Sequence, residues 1–255
     1  MSEDTSLAER FNFADFTRGN YRRLIRLAKE KYSFRTFSSF EKSESFVLWR
    51  HDVDFSMHAA RRLARIEAEE GVKATYFINI HSEFYNAFER DVSDCVRDII
   101  GMRHELGVHF DATYYGVTSE AALDDLIARE ARMLADTFGS TPAAVAFHNP
   151  TIFGLGCEAW SYGGLINTYA RYFQTEVGYC SDSNGYWRHR RLEDVLKAGS
   201  DPRLQVLTHD AWWQDEPMSP MARVDRSIEG RADKTRQLYR ELFRQNPDRV
   251  NVAEP

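Results

Sequence analysis

The sequence predicts an α/β fold with a parallel sheet, closed into a barrel or doubly wound, on three observations. Apolar strand-like runs alternate with amphipathic helix-like stretches along most of the 255 residues. No repeat, low-complexity tract or Pro/Gly-rich linker interrupts them. The ionisable residues collect at the ends of the expected strands, where barrel enzymes build their sites. A chain of this length fits one domain, here 1–255, with 1–40 as a helical extension packed on the barrel.

Each element follows from its residues. Phe11, Phe13 and Phe16 lead into a first helix striped by Tyr21, Leu24, Ile25 and Ala28. Phe46 to Trp49 reads as a buried strand running into His51-Asp52-Val53-Asp54. Ser56 caps a helix carrying Ala60, Leu63 and Ile66, which stops at Gly71. The β-branched and aromatic run Ala74 to Ile80 is the second strand. Val92, Cys95, Val96, Ile99 and Ile100 keep helical spacing up to Gly101, and Leu106 to Asp111 is the third strand. Ser119 to Phe138 is amphipathic, with Gly139 as terminator, and Ala143 to Phe147 is the fourth strand. From Thr151 to Tyr172 the pattern weakens into a glycine- and aromatic-rich excursion. Tyr179 to Asp182 reads as a strand end, Leu204 to Thr208 as a further strand and Met221 to Phe243 as a closing helix. The arginines of that helix (Arg223, Arg226, Arg231, Arg236, Arg240) mark a solvated face.

Bulk properties exclude several function classes. A net charge of −6 and a pI near 5.8 argue against a nucleic-acid partner. Cys95, Cys157 and Cys180 form neither a C-x-x-C pair nor a disulfide framework. No apolar run of about 20 residues predicts membrane insertion. Met1 to Arg10 is polar and acidic, unlike a signal peptide, so the expected compartment is the cytoplasm.

Asp52 and Asp54 end the first of the main strands, His109 and Asp111 the third, His148 the fourth and His209 the last. Alternation puts Asp52 with Asp54, and His109 with Asp111, on shared faces that point inward together. Carboxylates and imidazoles converging at one mouth suit a divalent metal beside an acid/base pair. Asp54 is also placed to cap the helix that follows it. Aromatic rings near these ends, Trp187 and Trp212 among them, suit the apolar faces of a sugar, although most aromatic residues simply pack.

Arg50-His51-Asp52-Val53-Asp54, Ala74-Thr75-Tyr76-Phe77, Arg103-His104-Glu105-Leu106-Gly107-Val108-His109 and Leu204 to His209 together resemble the motifs of the polysaccharide deacetylases. These are the NodB-type superfamily, similar to carbohydrate esterase family 4. The likeness runs from about Phe46 to Trp213, and within the superfamily the sequence looks most like the WbmS-like branch associated with surface polysaccharides and O-antigen biosynthesis. It implies a distorted (β/α) barrel of about seven parallel strands and a hydrolase acting on the C–N bond of linear amides. The substrate implied is an acetylated sugar, as a surface-polysaccharide precursor. By the same likeness Asp52 is the general base, Asp54 and His109 are metal ligands and His209 is the general acid. Asp182, Trp187, Trp212 and His148 are expected at the substrate.

Two departures stand out. The position of the family's second ligating histidine is Thr113, and its R-x-P-Y arginine is missing where Phe147-His148-Asn149-Pro150 stands. The third ligand is therefore expected at His148, with Asp111 as the alternative. Zinc is the first expectation for the ion, ahead of cobalt, nickel or manganese. A metal-free hydrolase and a non-catalytic carbohydrate-binding relic on the same barrel are the competing readings.

Overall fold

Residues 7–245 are described by the computed structural model. Seven parallel strands lie in the order β7-β5-β4-β3-β2-β9-β8. They are β2 (Phe46–Val53), β3 (Thr75–Ile78), β4 (Glu105–Phe110), β5 (Ala144–Phe147), β7 (Leu165–Asn167), β8 (Gly178–Ser181) and β9 (Arg203–His209). The sheet curls into a half-barrel, and its end strands β7 and β8 do not pair with each other. Two short strands are accessory. β1 (Ser33–Arg35) runs beside Phe46 to Leu48, where β3 has not yet begun. β6 (Ser161–Tyr162) is antiparallel to β7.

The period-2 alternation of β2 divides the molecule. Val47, Trp49 and Val53 face the outer core under the helices, while Phe46 and Leu48 join Phe77, Ala144, Ala146 and Phe173 inside the sheet's curve. Continuing that inner row upward gives Arg50 and Asp52. The interior is thus apolar at its base and polar at the strands' C-terminal ends. Gly107 serves this narrowing: a Cβ there would lie 2.4 Å from Cδ1 of Phe77 on the neighbouring strand.

The outer helices include α1 (Arg18–Lys29), α2 (Met57–Glu69), α3 (Arg90–Gly101), α4 (Leu123–Phe138), α7 (Leu192–Ala198) and α8 (Pro220–Arg244). Ser56 accepts a hydrogen bond from the Ala59 N–H and caps α2, as its residue type predicts. α1 packs against α2 and α7. His51 faces outward, where its Nε2 lies 2.6 Å from the fully buried Glu67 of α2.

The expected excursion at Thr151 to Tyr172 holds real structure: α5 (Ile152–Gly156), the β6–β7 hairpin and the start of α6 (Arg171–Glu176). Gly163 and Gly164, at φ 58° and 80°, turn that hairpin, as a Gly-Gly pair between strands does. The helix α8 corrects another expectation. Arg223 is fully buried, donating to the Gly185 carbonyl and lying over the Phe16 ring. All three cysteines are buried and free. Among the described residues no helix is long and apolar enough to cross a membrane.

Candidate active site

Three side chains meet above the inner row of polar residues. Asp54 Oδ1 lies 3.1 Å from His109 Nε2 and 3.3 Å from His148 Nδ1, and the two ring nitrogens are 3.2 Å apart. Asp54 follows β2, His109 lies on β4 and His148 follows β5, so the two histidines come from adjacent strands. Burial pushes the Asp54 carboxyl up, but hydrogen bonds to His109 and His148 and the charges of His109 and His209 hold it well below the usual range. Burial lowers the His148 imidazole, and Asp54 beside it more than compensates, leaving it raised.

This triangle fits a metal ion. Zinc bonds of about 2.0–2.1 Å to nitrogen or oxygen place tetrahedral ligands roughly 3.3–3.4 Å apart. The observed spacings match within a few tenths of an ångström, and Asp54, His109 and His148 are the one group of this kind among the described residues. The amide nitrogen of Asn149, a residue at φ 39°, is placed 2.9 Å from His148 Nε2. With the Asn149 oxygen turned there instead, Nε2 carries the proton and Nδ1 keeps its lone pair for a metal. Asp111, the alternative ligand, lines the same cleft but is not in this group: its Oδ1 accepts from the Thr113 and Tyr114 N–H groups.

The backbone of Asp54 is clamped from several sides. Asp210, fully buried, accepts from the N–H groups of Asp54, Phe55 and Ser56. Burial and then the Asp54 charge raise its carboxyl to about 7, against the pull of those three donors. Tyr85 donates to the Val53 carbonyl and Ser82 to that of Asp54.

On the inner side of the triangle, Asp52 Oδ2 is 3.8 Å from His109 Nε2 and 2.9 Å from Arg50 Nη2. Arg50 has no exposed surface and stands two positions along the same strand from the carboxylate it neutralises. Burial disfavours its charge, and Asp52 more than restores it. Sequence reasoning gave Arg50 no role; its i, i+2 spacing from Asp52 on a buried strand was the available signal.

His209 stands across the site, with Nε2 3.8 Å from Asp54 Oδ2. Its Nδ1 is 2.6 Å from Asp182 Oδ1. Burial works against the imidazolium, but the Asp182 hydrogen bond and the charges of Asp182, Asp54 and Asp52 push it up to about 9. Asp182 was expected at the substrate. It is fully buried instead, holding His209 and accepting from Trp213 Nε1. Trp187 packs against Phe16 and Trp213 outside the cleft, whereas Trp212 lines it with Asp52, Asp54, His109, His148 and His209. Thr113 lies on the same cleft wall.

The two remaining histidines near strand ends differ in kind. His104 is buried, accepting from the Ala74 N–H at Nδ1 and facing the Ala64 carbonyl with Nε2, so it braces the turn. His81 lines the cleft, stacks on Tyr114 at 3.6 Å and lies 3.2 Å from the fully buried Glu130 of α4. Burial, only partly offset by Tyr115 and Arg129, raises Glu130 to about 7.

Comparison with known proteins gives similarity of structure alone. No family model and no curated protein matches the sequence. A Streptococcus mutans CE4 esterase is 14% identical over 81% of this chain and 90% of its own, with a TM-score of 0.48. The chitin deacetylase of the fungal pathogen Colletotrichum lindemuthianum is 16% identical over 72% and 81%, with a TM-score of 0.41. A CE4 family pseudoenzyme from Bacillus anthracis is 14% identical over 76% of this chain, with a TM-score of 0.41, and the match spans only 63% of the pseudoenzyme's length. This chain is therefore similar to CE4 family proteins at low identity.

Proposed function

We propose that the protein is a metal-dependent amide hydrolase that removes an acyl group, acetyl in its simplest form, from the nitrogen of an amino sugar. The observation that carries this reading is the Asp54–His109–His148 triangle, with Asp52 at His109 on one side and His209 at Asp54 on the other. Asp54, His109 and His148 would hold the ion, zinc by the match of their spacing. Bound there, a divalent ion supplies Lewis acidity, giving a water of lowered pKa and a polarised acyl oxygen.

The chain's own groups handle the protons. Asp52, hydrogen-bonded by Arg50, accepts a proton from the attacking water as its oxygen bonds to the acyl carbon. His209, protonated at neutral pH and fixed by Asp182, gives a proton to the nitrogen as the C–N bond breaks. Water adds across the amide, and the products are a carboxylate and an ammonium sugar. Trp212 offers a ring for the sugar in the cleft. A cytoplasmic precursor of a surface glycan, such as an O-antigen unit handled by a WbmS-like protein, is the substrate that the motif likeness supports.

The test joins metal content to product. Protein purified without chelator should carry about one divalent ion per chain and release acetate from N-acetylated amino sugars, and chelation should abolish that release. Acetate release that survives complete chelation would favour the metal-free hydrolase. A metal-loaded protein inert on every acylated sugar would favour the binding relic.

A further inference from the structure

The cleft has a volume of about 1270 Å³, more than the roughly 300–1,000 Å³ of ordinary small-molecule pockets, so a larger group than one acylated sugar has room there. Among the described residues that line it, Arg188 is the one arginine, and there is no lysine. Arg188 and the adjacent His189 are exposed, and neither has a hydrogen bond or an ion pair among the described residues.

The segment that carries them is fixed at both ends. Trp187 packs against Phe16 and Trp213 on one side. On the other, Arg190 donates to Asp201 over 2.6 Å, and Arg191 makes two bonds of 2.7 Å to Asp15. Arg190 and Arg191 are thus tied into the fold, and Arg188 is left at the cleft. The acids of the cleft are engaged elsewhere or stand apart. Asp52 pairs with Arg50, Asp54 lies against two histidines and Asp111 accepts from backbone N–H groups. Glu83 follows β3, which is three strands from β8 in the sheet.

We infer that Arg188, with His189, binds a phosphate on the anomeric carbon of a 2-acylamino sugar, so that the substrate is a sugar phosphate or a nucleoside diphosphate sugar rather than a neutral glycan. The inference rests on the amide-hydrolase reading of the site. Its geometry comes from the loop's origin. The loop leaves β8 at Asp182, whose carboxylate holds His209 on the paired strand β9. His209 is the proton donor to the departing nitrogen, so this side of the cleft receives the sugar and the opposite side the acyl group. The anomeric carbon is bonded to the carbon that bears the nitrogen, and a phosphate there stays beside it. A carboxylate at C6 lies across the ring. The guanidinium offers two parallel N–H groups to phosphate oxygens, and the His189 ring N–H offers another.

The test compares N-acetylglucosamine, its 1-phosphate, its uridine-diphosphate conjugate and N-acetylglucosaminuronic acid as substrates of the metal-loaded protein. Both phosphorylated sugars should give a kcat/KM at least about tenfold above the neutral sugar, the gain of one charge-assisted contact. The uronic acid should not share that gain. Arg188→Ala should bring the phosphorylated-to-neutral ratio close to unity, and Arg188→Lys should restore part of it. Equal gains for the two phosphorylated sugars support a site for one phosphate; a larger gain for the conjugate supports one that extends to the nucleotide. Equal rates on neutral and phosphorylated sugars, an equal gain for the uronic acid, or a ratio unchanged in Arg188→Ala overturns the inference. If no sugar is hydrolysed, the hydrolase reading fails by itself, and ligand-observed NMR with the 1-phosphate, the neutral sugar and inorganic phosphate still decides the Arg188 site. Preferential binding of the 1-phosphate that Arg188→Ala removes supports it. Absent binding, or binding matched by the neutral sugar or by inorganic phosphate, overturns it.

Discussion

Glu130 offers a prediction whose size comes directly from the structure. Its carboxyl has no exposed surface on α4 and is raised from an ordinary 4.5 to about 7, chiefly by burial. Below pH 4.5 the folded and unfolded chains both hold the proton, and the residue costs nothing. Between 4.5 and 7 the unfolded chain releases it while the folded chain keeps it, so stability falls as pH rises. Above 7 the penalty is constant. At about 1.36 kcal/mol per unit, the shift amounts to roughly 3 kcal/mol. Glu130→Gln keeps the shape and removes the titration. The variant should match the unmodified protein near pH 4.5 and exceed it by up to about 3 kcal/mol at pH 8, a rise of roughly 6–12 °C in Tm for a chain of this size. Thermal unfolding of both proteins across pH 4.5–8 measures this, and the difference between them cancels other groups such as Asp210. A difference that stays flat over that range refutes the reasoning.

Other outcomes follow from the site and the core. His148→Ala should lower zinc affinity by about 100-fold or more while Asp111→Asn keeps the metal, read by metal stoichiometry after dialysis; the reverse pattern would make Asp111 the ligand. Asp52→Asn should retain the metal and the fold and lose roughly 10²-fold in turnover. Gly107→Ala should destabilise by about 1–3 kcal/mol in denaturant titrations, because Phe77 occupies the space of the new Cβ.

Much of the site was legible because strand alternation is built into the covalent chain. Once Phe46 to Val53 is a strand, Asp52 must share a face with Leu48 and Phe46, and that face is the interior. His109 and His209 follow from the same rule on β4 and β9. What escaped were partnerships between distant residues. Asp182 reaches His209 across 27 positions and Asp210 reaches the Asp54 N–H across 156, and no local pattern encodes either meeting. The motif likeness put Asp182 at the substrate, and its place at a strand end reads the same whether it faces the cleft or props a neighbour. The β6–β7 hairpin was hidden by strands of two and three residues, too short to show a period, although its Gly-Gly turn was in view.

The pairing of Arg50 with Asp52 on one strand bears on the two departures that, in sequence, look like separate losses. With its counter-charge two residues upstream on the same strand, Asp52 needs no cation from the loop after β5. That loop is then released from supplying a cation to Asp52, and its first residue, His148, lies within reach of Asp54 and His109. On the proposed reading, the guanidinium of Arg50 in strand β2 and the imidazole of His148 after β5 would carry the two duties that the motif resemblance assigns to the missing arginine and histidine.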